Sequence, residues 1–305
     1  MFARDAAVAL TIVAAILVGM FAYTGLWPPL VVVESNSMMH SEDNVSYVGV
    51  IDTGDLVLVK KIERASDIKT YMDGYASGYK TYGDFGDVII YEKDGSSTST
   101  PIIHRAMIYL EANPDGQSYS APALENIPKG KWITDVSDDA WDHITSTLTI
   151  IGVGYRGIDV PIDITNLLHG GAAESGFITK GDHNQMVDVN FGGPGVGYRP
   201  IDVSWVVGKA RGEIPWFGLL KLWSTGTLNS VAPENSVRNL WITIAIIVIA
   251  PIIVDISMSM IERRKRRRWK EAADKMKEEP SSMRKDPDAE DASSRAVEPP
   301  ETQLR

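Results

Sequence analysis

The chain has 305 residues, a net charge of -10 and no cysteine. Without cysteine, a fold held together by disulfides is excluded even in an oxidising compartment, and a chain of this length can bury a core without them. The acidic balance argues against a nucleic-acid-binding protein, which needs a basic face, so we expect no nucleic-acid partner.

Two long apolar stretches lie in the sequence, one at the N-terminus and one after residue 238. Residues 6–27 carry no charged side chain, and residues 239–261 are interrupted only by Pro251 and Asp255. At a rise of about 1.5 Å per residue, each can cross a hydrocarbon core of roughly 30 Å, so we predict two transmembrane helices. The alternative for the first stretch is a cleaved signal peptide. Its apolar length and the lack of a small-residue cleavage site favour an uncleaved anchor.

A basic run at residues 263–268 directly follows the second stretch. Such a cluster resists translocation, so residues 262–305 are expected in the cytoplasm together with the short N-terminus at residues 1–5. Residues 28–238 then face outward, across the cell membrane or, in a eukaryote, the endoplasmic-reticulum membrane. Beyond the basic run, the tail is charged, rich in proline and poor in apolar residues, which is typical of a disordered segment.

The outward region is predicted to be mainly β. Short apolar runs rich in Val and Ile alternate with turns built on Gly and Asp. These runs lie at residues 30–33, 54–62, 86–91, 102–110, 148–153 and 203–207. Clusters of Pro, Asp and Gly distinguish residues 111–175, which we expect to form an inserted subdomain or cap with a short helix at residues 162–169.

Residues 214–224 combine aromatic side chains with leucines shortly before the second apolar stretch. Trp216, Phe217 and Trp223 are the aromatic members. Such a composition is typical of a segment that lies in the interface of a lipid bilayer. Packing in the protein core is the alternative, and we favour the membrane interface.

Two serines spaced two residues apart follow the first apolar stretch. Residues i and i+2 of a strand face the same side, so Ser35 and Ser37 are expected to point into one site if the segment is extended. A nucleophile with a helper hydroxyl is one interpretation of the pair. A serine-rich turn is the other.

A serine nucleophile needs a base, and the chain has only five histidines. His104 stands inside the apolar run at residues 101–107, where its ring nitrogens need partners or a function. A structural histidine with satisfied hydrogen bonds is the alternative. Asp182 and Asp188 lie in a polar turn and offer a carboxylate that orients a histidine, or a weak cation site. Ser37, His104 and Asp188 could supply a nucleophile, a base and an orienting carboxylate in chain order.

Four motifs in this order resemble the membrane-bound signal peptidase I family. The resemblance covers most of the outward region apart from residues 111–175, and also the N-terminal anchor. Bacterial members place a lysine before the arginine of the third motif, whereas archaeal and endoplasmic-reticulum members place a histidine there, as this chain does. The motifs are Ser35-Asn36-Ser37-Met38, Gly54-Asp55-Leu56-Val57, Gly86-Asp87-Val88 with Ile103-His104-Arg105, and Lys180-Gly181-Asp182-His183-Asn184 through Asp188.

The resemblance implies a role for each matched residue. Ser37 would be the nucleophile, His104 the general base, and Asp188 the carboxylate that orients the base. Asp182 would be a supporting carboxylate, and Ser35 would assist the backbone N–H of Ser37 at the oxyanion. The implied fold is a signal-peptidase-like antiparallel β catalytic domain with an inserted middle segment, flanked by two transmembrane helices. No metal or cofactor is expected.

The chain departs from the family pattern at two positions. His40 stands where the family has a proline, and His183 replaces the first asparagine of the usual Gly-Asp-Asn-Asn. A base role for either histidine is left open, although the motif position favours His104. A Ser-Lys peptidase that uses Lys60 or Lys61 is a further alternative.

The resemblance implies a membrane-bound serine endopeptidase that removes signal peptides from exported preproteins through an acyl-enzyme. Its partners would be preprotein signal peptides, the lipid bilayer and the protein-export machinery. The alternative from another class is a non-catalytic, membrane-anchored β-domain that binds exported chains or a surface partner.

Overall fold

The structure is a computed structural model that describes residues 2–137, 140–169, 173–191, 199–227 and 232–278. Antiparallel strands dominate it, which confirms the predicted mainly β class. The strands are β1 (Leu30–Val32), β2 (Leu56–Lys60), β3 (Lys80–Thr81), β4 (Asp84–Phe85), β5 (Val88–Tyr91), β6 (Ile102–Ala112), β7 (Tyr119–Ser120), β8 (Trp132–Thr134), β9 (Thr147–Val153), β10 (Ile158–Asp163), β11 (Gly176–Lys180) and β12 (Val206–Ile214). The α-helices are α1 (Phe2–Thr24), α2 (Tyr71–Ser77), α3 (Ile164–His169), α4 (Leu219–Ser224) and α5 (Glu234–Glu278).

Helices α1 and α5 are long and apolar enough to cross a membrane. Their candidate spans are Arg4–Thr24 and Glu234–Lys275, and no residue in the apolar window of either is buried. The two predicted apolar helices are thereby confirmed. Their boundaries differ from the prediction, because α1 begins earlier and α5 continues as one helix through the basic run. The chain divides into two compact units, Met1–Ile242 and Thr243–Arg305, and everything described below lies in the first.

The main sheet has the strand order β1-β2-β12-β5-β6-β11, and β7 pairs with the far end of β6. The pairings are antiparallel, so the start of β6 lies beside the end of β11. In this register His104 faces Ile89 on β5, and Arg105 pairs with Val88 on one side and Lys180 on the other. The third and fourth sequence motifs therefore meet at one edge of the sheet.

Strand β5 is buried on both faces and contributes to two apolar clusters. Val88 and Ile90 pack with Val57 on one face, whereas Ile89 and Tyr91 pack on the other. This alternation follows from the period-2 geometry of a strand. Burial of each such side chain stabilises the fold by about 1.5–3 kcal/mol. The strands that carry the site are thus the best buried part of the sheet.

The middle segment forms its own three-stranded antiparallel sheet, in the order β10-β9-β8. Its apolar side chains share one core cluster with residues of β6 and β11, including Met107 and Ile178. The segment therefore packs on the main sheet and belongs to the same compact unit. The short helix expected at residues 162–169 is α3.

The last predicted strand differs from the structure at its start. Val203–Trp205 is a short 3-10 helix that is capped by the side chain of Asp202, and β12 begins only at Val206. Apolar composition favoured a strand here, but the Asp202 carboxylate accepts the backbone N–H of Ser204, which starts a helical turn.

Candidate active site

The two serines of the first motif lie in a turn and not on a strand, because β1 ends at Val32. A hydrogen bond from Met39 N to Asn36 O, at 3.1 Å, closes this turn. The expectation of an extended segment was therefore wrong. The turn nevertheless places the Oγ atoms of Ser35 and Ser37 3.1 Å apart, on one side of the backbone.

His104 connects Ser37 with Asp188. Its Nε2 lies 2.9 Å from Ser37 Oγ, and its Nδ1 lies 2.6 Å from Asp188 Oδ2. The ring is only 8% exposed, because it is held on β6 between neighbouring strands. The structure thus brings together the three residues that the sequence nominated. With Asp188 accepting at Nδ1, Nε2 is free to accept the proton of the serine hydroxyl.

Two further side chains hold Asp188, and the sequence analysis did not identify either. Tyr91 Oη donates to Asp188 Oδ2 at 2.9 Å, and Thr179 Oγ1 donates to the same oxygen at 2.6 Å. Burial and the nearby Asp188 raise the pKa of Tyr91, so this phenol stays protonated as a donor. The two donors fix the carboxylate oxygen that faces His104. Tyr91 ends β5 and Thr179 is the second-to-last residue of β11, the two strands beside β6, and that position was the only signal in the sequence.

Asp182 belongs to a second, buried ion pair. Arg105 donates from Nε to Asp182 Oδ1 at 2.8 Å and from Nη2 to Oδ2 at 2.6 Å. Burial alone would raise the pKa of Asp182, but the charge of Arg105 and hydrogen bonds from Arg105 and His40 hold it well below its usual value. Asp182 is therefore ionised, and it supports the turn that follows β11.

Arg105 also binds the loop before β5, a contact that the sequence analysis missed. Its guanidinium donates to backbone carbonyls of residues 81, 82 and 84–86, including Gly86 O at 3.2 Å. Gly86 adopts a φ of +78°, and a Cβ there would collide with the backbone of Thr70. Glycine is therefore required at the residue that lets this loop close around the guanidinium.

The two histidines that depart from the family pattern are engaged away from the serine hydroxyl. His40 Nε2 lies 2.8 Å from Asp182 Oδ2, and its ring stacks on Tyr155 with 4.8 Å between the centroids. The ring of His183 contacts Tyr155 Oη, at 3.1 Å from Nδ1. His183 reaches Ser37 only through its backbone N–H, which donates to Ser37 O at 2.9 Å.

Lysines lie near the site, but none of their described contacts is with the Ser37 hydroxyl. Lys60 is exposed, and its Nζ lies 5.0 Å from the centre of the Tyr23 ring. Lys180 is buried, and its Nζ donates to the carbonyl oxygens of Gly181 and Asp182 at 2.9 and 3.2 Å. Burial lowers the pKa of Lys180. This lysine holds the turn after β11.

A cleft of about 400 Å³ opens beside the serine and the histidine. One wall follows the end of β1, and the other follows the start of β6. The lining residues are 32–35 and 100–104 with Ser37, Met38 and Asn184. The walls are largely apolar, and Ser37 and His104 are among the polar residues that line the cleft. An extended peptide can lie along such a cleft with one carbonyl next to Ser37 Oγ.

The two carboxylates of the fourth motif lie among the residues that the structure describes. Among these described residues, no group of three or more histidine, aspartate or glutamate side chains is arranged to hold a metal ion. Asp182 and Asp188, the two carboxylates of the fourth motif, have separate partners, which are Arg105 and His104. The weak cation site considered for this pair is therefore not formed by it.

Residues 214–224 have both a packed and an exposed side. Leu219 and Leu222 of α4 are buried, and Trp216 Nε1 donates to Ser46 Oγ at 3.2 Å. In contrast, Trp223 is 61% exposed and meets the exposed Trp241 edge-on, with 6.2 Å between the ring centroids. One face of the segment thus packs on the domain and the other presents aromatic surface.

No protein-family model matches the chain, and no curated protein matches it either. The resemblance to the signal peptidase I family therefore rests on the quoted motifs.

Proposed function

We propose that this chain is a membrane-bound serine endopeptidase of the signal peptidase I type. It would remove signal peptides from exported preproteins at the outer face of the membrane. The observation that carries the proposal is the chain of hydrogen bonds from Ser37 Oγ through His104 to Asp188 Oδ2, at 2.9 and 2.6 Å, beside a peptide-sized cleft. These distances are within the range that proton transfer requires.

Acylation begins when Ser37 Oγ attacks the scissile carbonyl carbon and His104 Nε2 takes the hydroxyl proton. Asp188 stabilises the imidazolium that forms, since its carboxylate faces Nδ1. The C–N bond then breaks, and His104 returns the proton to the leaving amine. The mature chain departs with this amine, and the signal peptide stays attached to Ser37 as an ester.

Two donors are available for the oxyanion. The backbone N–H of Ser37 is one, and the hydroxyl of Ser35, 3.1 Å from Ser37 Oγ, is the other. Removal of one such donor costs about 2.7–4 kcal/mol of transition-state stabilisation.

Water then attacks the ester while His104 accepts its proton, and this step releases the signal peptide.

The substrate is expected to add to the edge of the main sheet. Strand β1 ends the sheet order, so one of its edges is not paired with another strand of that sheet. An extended peptide can pair with such an edge through its backbone and place alternate side chains in the cleft. The family resemblance adds a preference for small side chains at the first and third positions before the scissile bond.

The membrane brings the site to its substrate in this proposal. Helix α1 ends at Thr24, and β1 begins at Leu30, so the nucleophile follows the first span closely. The exposed aromatic face around Trp223 would lie in the bilayer interface, with both termini cytoplasmic. Preproteins that emerge from the protein-export machinery would then meet the cleft at the membrane surface.

The test is cleavage of a model preprotein in membranes that contain the full chain. Ser37→Ala and His104→Ala should each abolish cleavage while the protein still inserts, and Ser77→Ala, on the exposed end of α2, should cleave like wild type. No cleavage by the wild type, with binding of the preprotein unchanged in Ser37→Ala and His104→Ala, would favour a non-catalytic binding domain. Loss of cleavage on replacement of Lys60 or Lys61, but not of His104, would favour a Ser-Lys peptidase.

A further inference from the structure

We propose that the turn between β9 and β10 positions the catalytic residues of this site, through Tyr155 and Arg156. The two side chains would act on the turn at residues 181–184 and touch neither substrate nor the serine hydroxyl. This inference rests on the proposed function. It gives the middle segment a role in catalysis.

The turn at residues 181–184 contacts both the nucleophile and the base. His183 N donates to Ser37 O at 2.9 Å, which holds the backbone of the nucleophile. A Cβ added at Gly181 would lie 2.6 Å from Ser37 O and 2.9 Å from His104 Nε2. The turn is therefore packed directly against both groups, and a shift of the turn would change the distance between Ser37 Oγ and His104.

Arg156 and Tyr155 hold this turn at His183. Arg156 Nη1 donates to His183 O at 2.8 Å, and Tyr155 Oη lies 3.1 Å from His183 Nδ1. The carbonyl and the ring of the same residue are thus bound from one side. The backbone N–H of His183 binds Ser37 on the other side.

A second connection reaches the same turn through Asp182. The Tyr155 ring stacks on the His40 ring with an interplanar angle of 22°. His40 Nε2 in turn lies 2.8 Å from Asp182 Oδ2. Tyr155 therefore acts on two consecutive residues of the turn. Tyr155 reaches the turn through His40 and His183, the two histidines that depart from the family pattern.

Glu42 keeps the two side chains in place. Its Oε1 accepts from Tyr155 Oη at 3.2 Å and forms an ion pair with Arg156. Glu42 follows the nucleophile by five positions in the sequence, so the segment after Ser37 and the β9–β10 turn are joined directly. Catalysis depends steeply on such positioning, because an error of about 1 Å can cost about 100-fold in rate.

An adjacent cavity provides the competing explanation. It has a volume of about 480 Å³ and is lined by Glu42, Arg156, Ile158, Asp159, Gln185 and Met186. If this cavity binds the mature part of the substrate, Arg156 contributes to affinity and a variant changes KM. If Arg156 positions the turn, a variant changes kcat instead.

The test uses the purified full chain in detergent with a model preprotein. Tyr155→Phe and Arg156→Ala should lower kcat, by about tenfold for the first and by up to about 100-fold for the second, with KM within about twofold of wild type. Added guanidinium should restore part of the kcat of Arg156→Ala. The control is Asp159→Asn, whose side chain lines the same cavity and has no described hydrogen bond to residues 181–184. This variant keeps an oxygen for the backbone N–H of Gly152.

A second measurement does not depend on a preprotein. The rate at which a small fluorophosphonate labels Ser37 reports on the serine and its base alone, and both variants should slow it by the same factors as kcat. A wild type that is labelled but does not cleave preproteins would refute the proposed function and leave the positioning role to be judged by labelling. A rise in KM alone, or wild-type labelling by both variants, would refute the positioning role. Melting temperatures identify a misfolded variant. If Arg156→Ala is misfolded, Arg156→Lys replaces it. Arg156→Lys should retain more activity than Tyr155→Phe.

Discussion

The buried pair of Arg105 and Asp182 should be the most costly polar interaction to break. Arg105 is 1% exposed, and its guanidinium meets both carboxylate oxygens at 2.8 and 2.6 Å. Removal of one partner of a buried ion pair costs about 3–5 kcal/mol, since the other charge is left without compensation in a region of low dielectric. We therefore expect Asp182→Asn to lower the free energy of unfolding by this amount.

The assay is chemical unfolding of the full chain in detergent, followed by circular dichroism. The matched control is Glu174→Gln, whose partner Arg199 is 3.7 Å away and exposed, so its loss should cost about 0–1 kcal/mol. Because the pKa of Asp182 is held well below its usual value, its contribution should be present above about pH 4 and should be lost as the pH falls further.

One result would contradict this reasoning. If Asp182→Asn costs no more than the Glu174→Gln control, the carboxylate does not compensate the charge of Arg105. The backbone carbonyls of residues 81, 82 and 84–86 would then be sufficient partners for the guanidinium.

Three further predictions concern the turn, the orienting carboxylate and pH. Gly181→Ala should reduce cleavage at least about tenfold, because its Cβ would lie 2.9 Å from His104 Nε2; unchanged kinetics would show that the turn can move freely. Thr179→Val should slow cleavage by about tenfold without loss of folded protein, since it removes a 2.6 Å donor to Asp188, and a rate within about twofold of wild type would contradict this. Burial raises the pKa of Asp55 to about 7, so its contribution to stability should fall as the pH rises from about 4 to about 7. In thermal unfolding, Asp55→Asn should weaken this dependence of stability on pH. An unchanged dependence would contradict the raised pKa of Asp55.

The sequence pointed to the principal residues of the site, but it did not show which side chains hold them in place. The residue pattern offered Ser37, His104 and Asp188, and the resemblance to the signal peptidase I family assigned their roles, but neither carried information on Tyr91 and Thr179. Those two were missed because a tyrosine and a threonine near the ends of buried strands look like ordinary core residues. Only the pairing of β5, β6 and β11 shows that both hydroxyls converge on one carboxylate oxygen.

The same limit applies to the nucleophile and the two unusual histidines. The serine pair was assigned to a strand, and the turn at residues 35–38 brings the hydroxyls together by a different geometry. The sequence left open a base role for His40 and His183. The contacts of both with Tyr155 depend on how the middle segment packs, which no local pattern specifies.

The sequence by itself determined the two apolar helices, the mainly β class and the candidate residues, because hydrophobicity and side-chain chemistry are local properties that can be read along the chain. Tertiary structure alone decided which of these residues meet. The contacts of His104 with Ser37 and Asp188 join positions 67 and 84 residues apart. Such distances are set by how the strands and the turns that follow them pack, and not by sequence spacing.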